Sequence, residues 1–98
     1  ENASYPLCIC AERVALYNVG TNHKEFKIKA LAITAHNPKK ALLEPVMPCG
    51  ACRQVIQEFE SRQNAPITMY LTSDCPEIMK IEGISEILPC SFSKDHLI

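Results

Sequence analysis

Two short cysteine motifs most strongly limit how this chain can fold. The first is Cys10-Ala11-Glu12, and the second is Pro48-Cys49-Gly50-Ala51-Cys52. Each motif lies where the apolar pattern predicts the start of a helix, and a helix N-terminus favours the thiolate form that binds metal. The fold is therefore expected to bring two helix starts together, with Cys49 and Cys52 sharing one helix face.

The residue types of these motifs predict a catalytic metal centre. Thiolates in tetrahedral geometry favour Zn²⁺, and three protein ligands (Cys10, Cys49 and Cys52) leave the fourth position for water. Zinc makes hydroxide available near neutral pH, and Glu12, two residues after a ligand, is placed to act as general acid and base. The pattern C-A-E followed by P-C-G-A-C is a variant of the zinc deaminase signature.

A structural zinc site is the main alternative for these cysteines. Cys8 could act as a fourth ligand and close the site, although residues i and i+2 of a helix do not face each other. A structural site also has no need of a carboxylate at Glu12. Cys75 and Cys90, like Cys8, are most simply small hydrophobic residues or free thiols, and the three histidines show no ligand spacing.

Length and charge narrow the class of protein further. A chain of 98 residues predicts one domain, residues 1–98. Ten basic and eleven acidic residues give a net charge of -1, which disfavours nucleic acid as a partner and favours a small molecule. No apolar run is long enough to span a membrane, and the start of the chain has no signal-peptide character. A cytoplasmic location is the expectation.

The apolar pattern alternates between helix and strand. It predicts a helix from Cys8 to about Val19 ended by Gly20, and a second helix from near Cys49 to about Glu60. It also predicts three strands, over residues 26–35, 67–71 and 78–81. A proline-bearing loop is predicted over residues 37–48, and a short helical or irregular piece over residues 84–88. A tail follows from Pro89. This order indicates an α/β domain with a hairpin.

Four segments together resemble one enzyme family. They are Asn2-Ala3-Ser4-Tyr5-Pro6, Ile9 to Arg13, Pro48 to Gln54, and Ile87-Leu88-Pro89 through Phe92. The chain is similar to the homo-tetrameric zinc-dependent cytidine deaminases of pyrimidine salvage, almost from its first residue to its last. The resemblance implies a three-layer α-β-α domain with a mixed sheet.

The resemblance also implies a reaction and the roles of several residues. Cytidine or deoxycytidine would be hydrolysed to uridine or deoxyuridine and ammonia by a zinc-bound hydroxide, with Glu12 as proton shuttle. Arg13 resembles an arginine that hydrogen-bonds the ligand thiolates and offsets their charge. The N–H of Ala11 resembles a donor to the base carbonyl, and Glu1 resembles the carboxylate that binds the ribose 3′-hydroxyl.

The remaining implied residues concern the assembly. Ala3, Tyr5 and Phe92 resemble residues that reach into a neighbouring subunit's site, with Phe92 stacking near the base, so a homotetramer with shared sites is expected. In the family a helix and two strands precede the position of Glu1, and they supply further nucleoside contacts. The chain starts after that part of the family's fold, so the domain is expected to be incomplete at its N-terminus.

Other functions stay open from the sequence. One alternative is a non-catalytic structural zinc module, and another is an inactive truncated homologue. A third is a deaminase that acts on polynucleotide or on a cytosine-bearing antibiotic. The neutral charge argues against polynucleotide, and Glu1 and Phe92 favour a free ribonucleoside.

Overall fold

A small mixed sheet carries the fold in this computed structural model, which describes residues 1–97. Its strands are β1 (Ala30–Thr34), β2 (Thr68–Thr72) and β3 (Met79–Ile81), in the spatial order β1-β2-β3. Two helices are present, α1 (Ala11–Asn22) and α2 (Gly50–Gln63), together with short 3-10 turns at Tyr5–Leu7, Ile84–Glu86 and Lys94–His96. The alternation of helix and strand that the sequence predicts is confirmed.

Strand pairing follows from the connections along the chain. Strand β1 runs parallel to β2, with Ile33 opposite Leu71, and the connection between them contains α2. Strand β3 returns antiparallel to β2, with Met69 opposite Ile81, after a short turn. Parallel strands require a long crossover, whereas antiparallel strands can be joined by a hairpin. The predicted hairpin and the mixed sheet are both confirmed.

The core lies between one face of the sheet and both helices. Leu16 of α1 and Ile56 of α2 pack in one apolar cluster with sheet residues such as Ile33, Met69 and Leu71. Strand side chains alternate between the two faces, so the next residues along each strand lie on the opposite face. That face is open among the described residues, and Tyr70 there is 41% exposed. The predicted α/β class is confirmed.

Helix α1 differs from its prediction at both ends. It begins at Ala11, with Cys10 as the capping residue, so Cys8 lies outside it; it continues past Gly20 to Asn22. Gly20 therefore does not end the helix. A Cβ atom at Gly20 would lie 3.0 Å from Cζ of Phe59, which indicates that the glycine permits the close approach of α1 and α2.

Strand β1 is shorter than the predicted range of 26–35 because a side chain takes up the backbone groups at its start. Ile28 donates its N–H to Oε1 of Gln63 (2.9 Å) and accepts from Nε2 through its carbonyl (2.8 Å). Ile28 thus pairs with α2 rather than with β2. Helix α2 runs three residues beyond Glu60 and ends at Gln63. The capping residue that follows, Asn64, has a φ of 52°, the left-handed conformation that asparagine tolerates at a helix end.

The other predicted segments agree more closely with the structure. Strands β2 and β3 each begin one residue later than predicted, and residues 84–86 form the expected short helical piece. The predicted loop at 37–48 contains neither helix nor strand. The tail from Pro89 contains one 3-10 turn, and its last residue, Ile98, lies outside the described range. Within residues 1–97, neither helix has the length and apolar character that crossing a membrane demands.

Candidate metal centre

The two cysteine motifs meet at the starts of the two helices. Cys10 caps α1 and Cys49 caps α2, and their carbonyls accept the first-turn N–H groups of Val14 and Arg53. Cys52 lies one turn into α2. The sulfur atoms of Cys10 and Cys49 are 3.7 Å apart, and those of Cys49 and Cys52 are 3.6 Å apart. The structure thus brings together the three cysteines that the sequence singles out.

The spacing of the sulfur atoms fits a tetrahedral zinc ion. Zn–S bonds of about 2.3 Å at tetrahedral angles place neighbouring sulfurs about 3.8 Å apart. Two of the sulfur pairs lie within about 0.2 Å of that separation, and all three atoms lie within 4.8 Å of one another. Three soft donors in this arrangement suit zinc, so the donor chemistry and the geometry agree.

The two thiols of α2 have different acidities. Hydrogen bonds from the backbone N–H of Cys52, then from its thiol, lower the pKa of Cys49. Burial raises the pKa of Cys52 to about 12. The expectation that a helix start favours the thiolate therefore holds for exposed Cys49, whereas burial opposes it at Cys52. A bound cation deprotonates a coordinating thiol outright, so the buried Cys52 is expected to ionise only with the metal.

Arg13 lies against the cluster on the first turn of α1. Its Nη2 is 3.9 Å from Sγ of Cys10, and hydrogen bonds to the sulfurs of Cys10 and Cys52 raise the pKa of the guanidinium. Its Nε is buried and has no hydrogen-bond partner among the described residues. Three thiolates on Zn²⁺ carry a net charge of -1, so a fixed cation beside them is electrostatically favourable. The charge-offsetting role of Arg13 remains a prediction.

Glu12 follows Cys10 by two residues, on the first turn of α1. It is half-buried in the first turn of α1, where the helix dipole favours an acidic side chain. After burial and the thiol contacts, the Glu12 charge also raises the pKa of Cys52. Its carboxylate is therefore within electrostatic reach of the cluster. The proton-transfer role of Glu12 also remains a prediction.

Cys8 does not join the cluster. Its sulfur contacts the backbone of Asn2, accepting from the N–H at 3.3 Å and donating to the carbonyl at 3.2 Å. The group of potential metal ligands found within residues 1–97 contains Cys10, Cys49 and Cys52. Cys75 and Cys90 are free and lie elsewhere. The closed four-cysteine site considered from the sequence is therefore not formed.

The residues predicted to bind the nucleoside lie at the start of α1 and in the two terminal segments of the chain. Ala11 is the first residue of α1, where an N–H has no acceptor within the helix. Glu1 and Ala3 are exposed, Tyr5 is 83% exposed in the first 3-10 turn, and Phe92 is 56% exposed near the end of the chain. Their assigned roles remain predictions.

Two polar residues that follow Cys52 in α2 have no role predicted from the sequence, and the structure supplies one. Arg53 donates from Nε to the carbonyl of Pro48 (2.8 Å) and from Nη1 to that of Ile87 (2.9 Å). Gln54 donates to the carbonyl of Phe92 (2.9 Å). These residues tie the chain before and after the site to the ligand-bearing helix. In the sequence, only their position directly after the predicted ligand Cys52 could have marked them as residues near the site.

The fold and the site together define a class: an α/β domain in which two helix starts present three thiols to a metal ion. Residues 1–69 match the family described as "Cytidine and deoxycytidylate deaminase zinc-binding region". The chain belongs to this family, and zinc is accordingly the metal that its three-cysteine cluster suits.

Individual relatives agree with this assignment. The chain is 40% identical over 98 residues to the cytidine deaminase of Sporosarcina psychrophila, covering 99% of this chain and 64% of that protein. It is 36% identical over 97 residues to that of Halalkalibacterium halodurans, covering 99% and 66%. The crystal structure of the cytidine deaminase from Burkholderia pseudomallei superposes with a TM-score of 0.72 at 32% identity, covering 94% of this chain and 66% of the other. The chain thus spans just under two thirds of these relatives.

Proposed function

We propose that this chain carries the catalytic centre of a cytidine deaminase. The proposed reaction converts cytidine or deoxycytidine and water into uridine or deoxyuridine and ammonia. The observation that carries the proposal is a cluster of three cysteines, not four, with Glu12 on the first turn of the helix that Cys10 caps. A catalytic zinc site has three protein ligands and one position for substrate or water, whereas a structural site has four protein ligands.

Each nearby group of the chain has a proposed task in this reaction. Cys10, Cys49 and Cys52 would hold the zinc ion, which when bound supplies the Lewis acidity that makes water nucleophilic near neutral pH. Glu12 would take one proton from the attacking water and deliver it to N3 of the base. It would then take the second proton from the new C4 hydroxyl and deliver it to the amine, as the C4 carbonyl forms and the bond from C4 to the amine breaks. Arg13 would offset the excess negative charge of the thiolates.

Substrate positioning is proposed for residues at the start of α1 and in the two terminal segments of the chain. The N–H of Ala11, free at the start of α1, would donate to the carbonyl of the base. Glu1 would accept a hydrogen bond from the ribose 3′-hydroxyl. Ala3, Tyr5 and Phe92 would reach the site of a neighbouring subunit, which agrees with the high exposure of both aromatic side chains in the single chain.

A homotetramer with shared sites is part of the proposal. Helix α1 exposes Val14 (52%) and Tyr17 (46%) one turn apart, and Ile9 just before the helix is 41% exposed. An apolar strip of this kind is typical of a surface that another subunit covers. Light scattering after size-exclusion chromatography would test it, and an active monomer would contradict it. A role in pyrimidine salvage in the cytoplasm completes the proposal.

The deciding experiment measures deamination and zinc in the same samples. Purified protein of known zinc content is incubated with cytidine, and the loss of cytidine absorbance is followed for wild type, Glu12→Gln and the control Glu25→Gln. Glu25 is exposed and lies beyond the end of α1. We expect turnover in wild type and in the control, and a loss of roughly 10²- to 10⁴-fold in Glu12→Gln at unchanged zinc content.

Two outcomes would contradict the proposal in different ways. Bound zinc without turnover in the wild type would indicate a structural zinc module or an inactive homologue. Turnover that survives in Glu12→Gln would leave the deaminase assignment in place and remove the proton-transfer role from this residue.

A further inference from the structure

The ring of Phe92 is held by a second aromatic side chain. His96 stacks on it, with ring centroids 5.5 Å apart and planes 16° from parallel. This distance lies within the range of about 4.5–7 Å that aromatic pairs prefer. The backbone of Phe92 is fixed separately, because its carbonyl accepts from Nε2 of Gln54 at 2.9 Å. An exposed aromatic residue near the end of the chain is thus fixed at both its backbone and its ring.

The imidazole of His96 is fixed in turn by the local backbone. The N–H of Ser93 donates to Nδ1 of His96 at 3.0 Å, and Oγ of Ser93 lies 3.3 Å from the same nitrogen. The carbonyl of Ser93 lies 3.2 Å from Nδ1 as well, so all three polar atoms of Ser93 face this nitrogen. Ser93 and His96 form the two halves of a capping box around the 3-10 turn Lys94–His96. The turn therefore sets the orientation of the imidazole that faces Phe92.

We propose that His96 and Gln54 are positioning residues for Phe92, and that they pre-organise its ring to stack on the base of the bound nucleoside. This inference rests on the proposed function, in which Phe92 reaches the substrate. A free phenylalanine that is 56% exposed would sample several rotamers, and ordering it would oppose binding. A ring already held in place avoids that ordering. Substrate and transition state gain equally, so the effect appears in KM and not in kcat.

His96 performs two tasks that substitution can separate. His96→Phe keeps a flat ring for stacking but removes the acceptor for the Ser93 N–H. His96→Asn keeps a short acceptor but removes the ring. If His96 acts by stacking, Asn raises the KM for cytidine about fivefold and Phe restores it to near the wild-type value. Lys94→Ala, an exposed change in the same turn, is the matched control and leaves KM unchanged.

The opposite order of the two variants would overturn the inference. If His96 only caps the turn, Asn behaves as wild type and Phe is impaired. An equal change in kcat and kcat/KM would also overturn it, because that pattern indicates an interaction made only in the transition state. Zinc content is measured in each variant so that damage to the ligand-bearing helix is recognised.

A measurement that is independent of turnover tests the stack itself. In the full chain, the ring of Phe92 should shift the NMR signals of the His96 ring protons upfield, and Phe92→Leu should remove that shift. Unchanged His96 signals would overturn the stacked arrangement. Absence of cytidine turnover in the wild type would instead overturn the proposed function, and with it the use assigned to the stack. The two failures are therefore distinguishable.

Discussion

Helices α1 and α2 both begin at a cysteine of the metal cluster, yet the rest of the chain holds them very differently. Side chains of α2 reach four other segments: Arg53 bonds to Ile87, Gln54 to Phe92, Glu60 to Ile67 and Gln63 to Ile28. Two residues of α2, Cys52 and Ile56, are fully buried.

Helix α1 has few comparable attachments. It buries Leu16, approaches α2 closely at Gly20, and touches the cluster through Arg13. The difference indicates that contacts with the rest of the chain hold α2, which carries Cys52 and begins at Cys49, in place without a metal. We therefore expect helix α1, which carries Glu12 and begins at Cys10, to depend more on a bound metal and on packing against α2 for its position. Glu12, to which we assign proton transfer as a proposal, thus lies on the less firmly held helix.

Removal of a ligand should have the largest effect and should separate the two helices. Loss of even an outer partner of a metal site lowers affinity about 10- to 100-fold, so Cys52→Ala should weaken zinc binding by more than that. Because zinc binding contributes to folding, amide exchange should accelerate in α1 much more than in α2. Zinc competition and hydrogen exchange measure both effects. Cys90→Ser, at an exposed cysteine, is the control; equal acceleration in both helices would contradict the comparison.

Substitution of Glu60 tests whether side-chain hydrogen bonds hold α2 in place. One carboxylate oxygen accepts the N–H groups of Ile67 and Ile84, each at 2.9 Å. Glu60→Leu leaves both donors without this partner and should lower the free energy of unfolding by roughly 2–4 kcal/mol. Urea denaturation measures it. Glu58→Leu, which breaks only an exposed pair with Arg62 (2.9 Å), should change stability by less than about 1 kcal/mol. Equal effects would show that these half-buried contacts do not anchor α2.

The contact between the two helices can be tightened or relieved at Gly20. Alanine favours a helix by about 1 kcal/mol over glycine, but overpacking a contact costs about 1–3 kcal/mol. Since the new Cβ would lie 3.0 Å from Phe59, Gly20→Ala should be net destabilising by about 1 kcal/mol.

The reason can be checked by a double-mutant cycle. In a Phe59→Leu background the clash is relieved, and Gly20→Ala should become neutral or stabilising by up to about 1 kcal/mol. The same loss of stability in both backgrounds would show that Phe59 is not what restricts position 20.

The sequence predicted the metal cluster better than it predicted the ends of the elements. Cys10, Cys49 and Cys52 could be recognised because metal ligation demands particular residue types at fixed spacing. Their meeting at two helix starts follows once each helix is located. Gly20 was misinterpreted because a glycine that ends a helix and one that admits a neighbouring helix look alike without the neighbour.

Long-range side-chain contacts could not be read from the pattern at all. The side chain of Gln63 bonds to the backbone N–H and carbonyl of Ile28, in the place of a neighbouring strand, so β1 is shorter than predicted. Nothing in the local sequence indicates that this glutamine bonds to a backbone 35 residues away. The stacking of His96 on Phe92 was missed for the opposite reason. Their spacing is local, but exposed aromatic and histidine residues at that spacing are common in loops and predict no particular contact.

The smallest expected effect concerns the loop that leads into α2. This loop is held by contacts with the turn between β2 and β3. Ser73 donates to the carbonyl of Glu44 (2.7 Å), and Asp74 accepts from the N–H of Leu42 (2.9 Å) and contacts His36 (2.9 Å). These contacts hold the loop before Cys49 against the turn between β2 and β3. The Leu42 N–H, followed by His36, lowers the pKa of Asp74.

A lowered carboxyl pKa gives stability that is present above the ordinary aspartate value of about 3.9 and disappears as the pH falls through the folded value below it. Asp74→Asn should therefore lower the melting temperature slightly at pH 7, and the difference from wild type should shrink steadily below about pH 4. Thermal unfolding at a series of pH values measures this, with Asp95→Asn, at an exposed position, as the control. A difference that stays constant down to the lowest pH would show that the Asp74 charge does not hold the loop. The contacts that position α2 would then be only those made by the helix itself, from Arg53 onward.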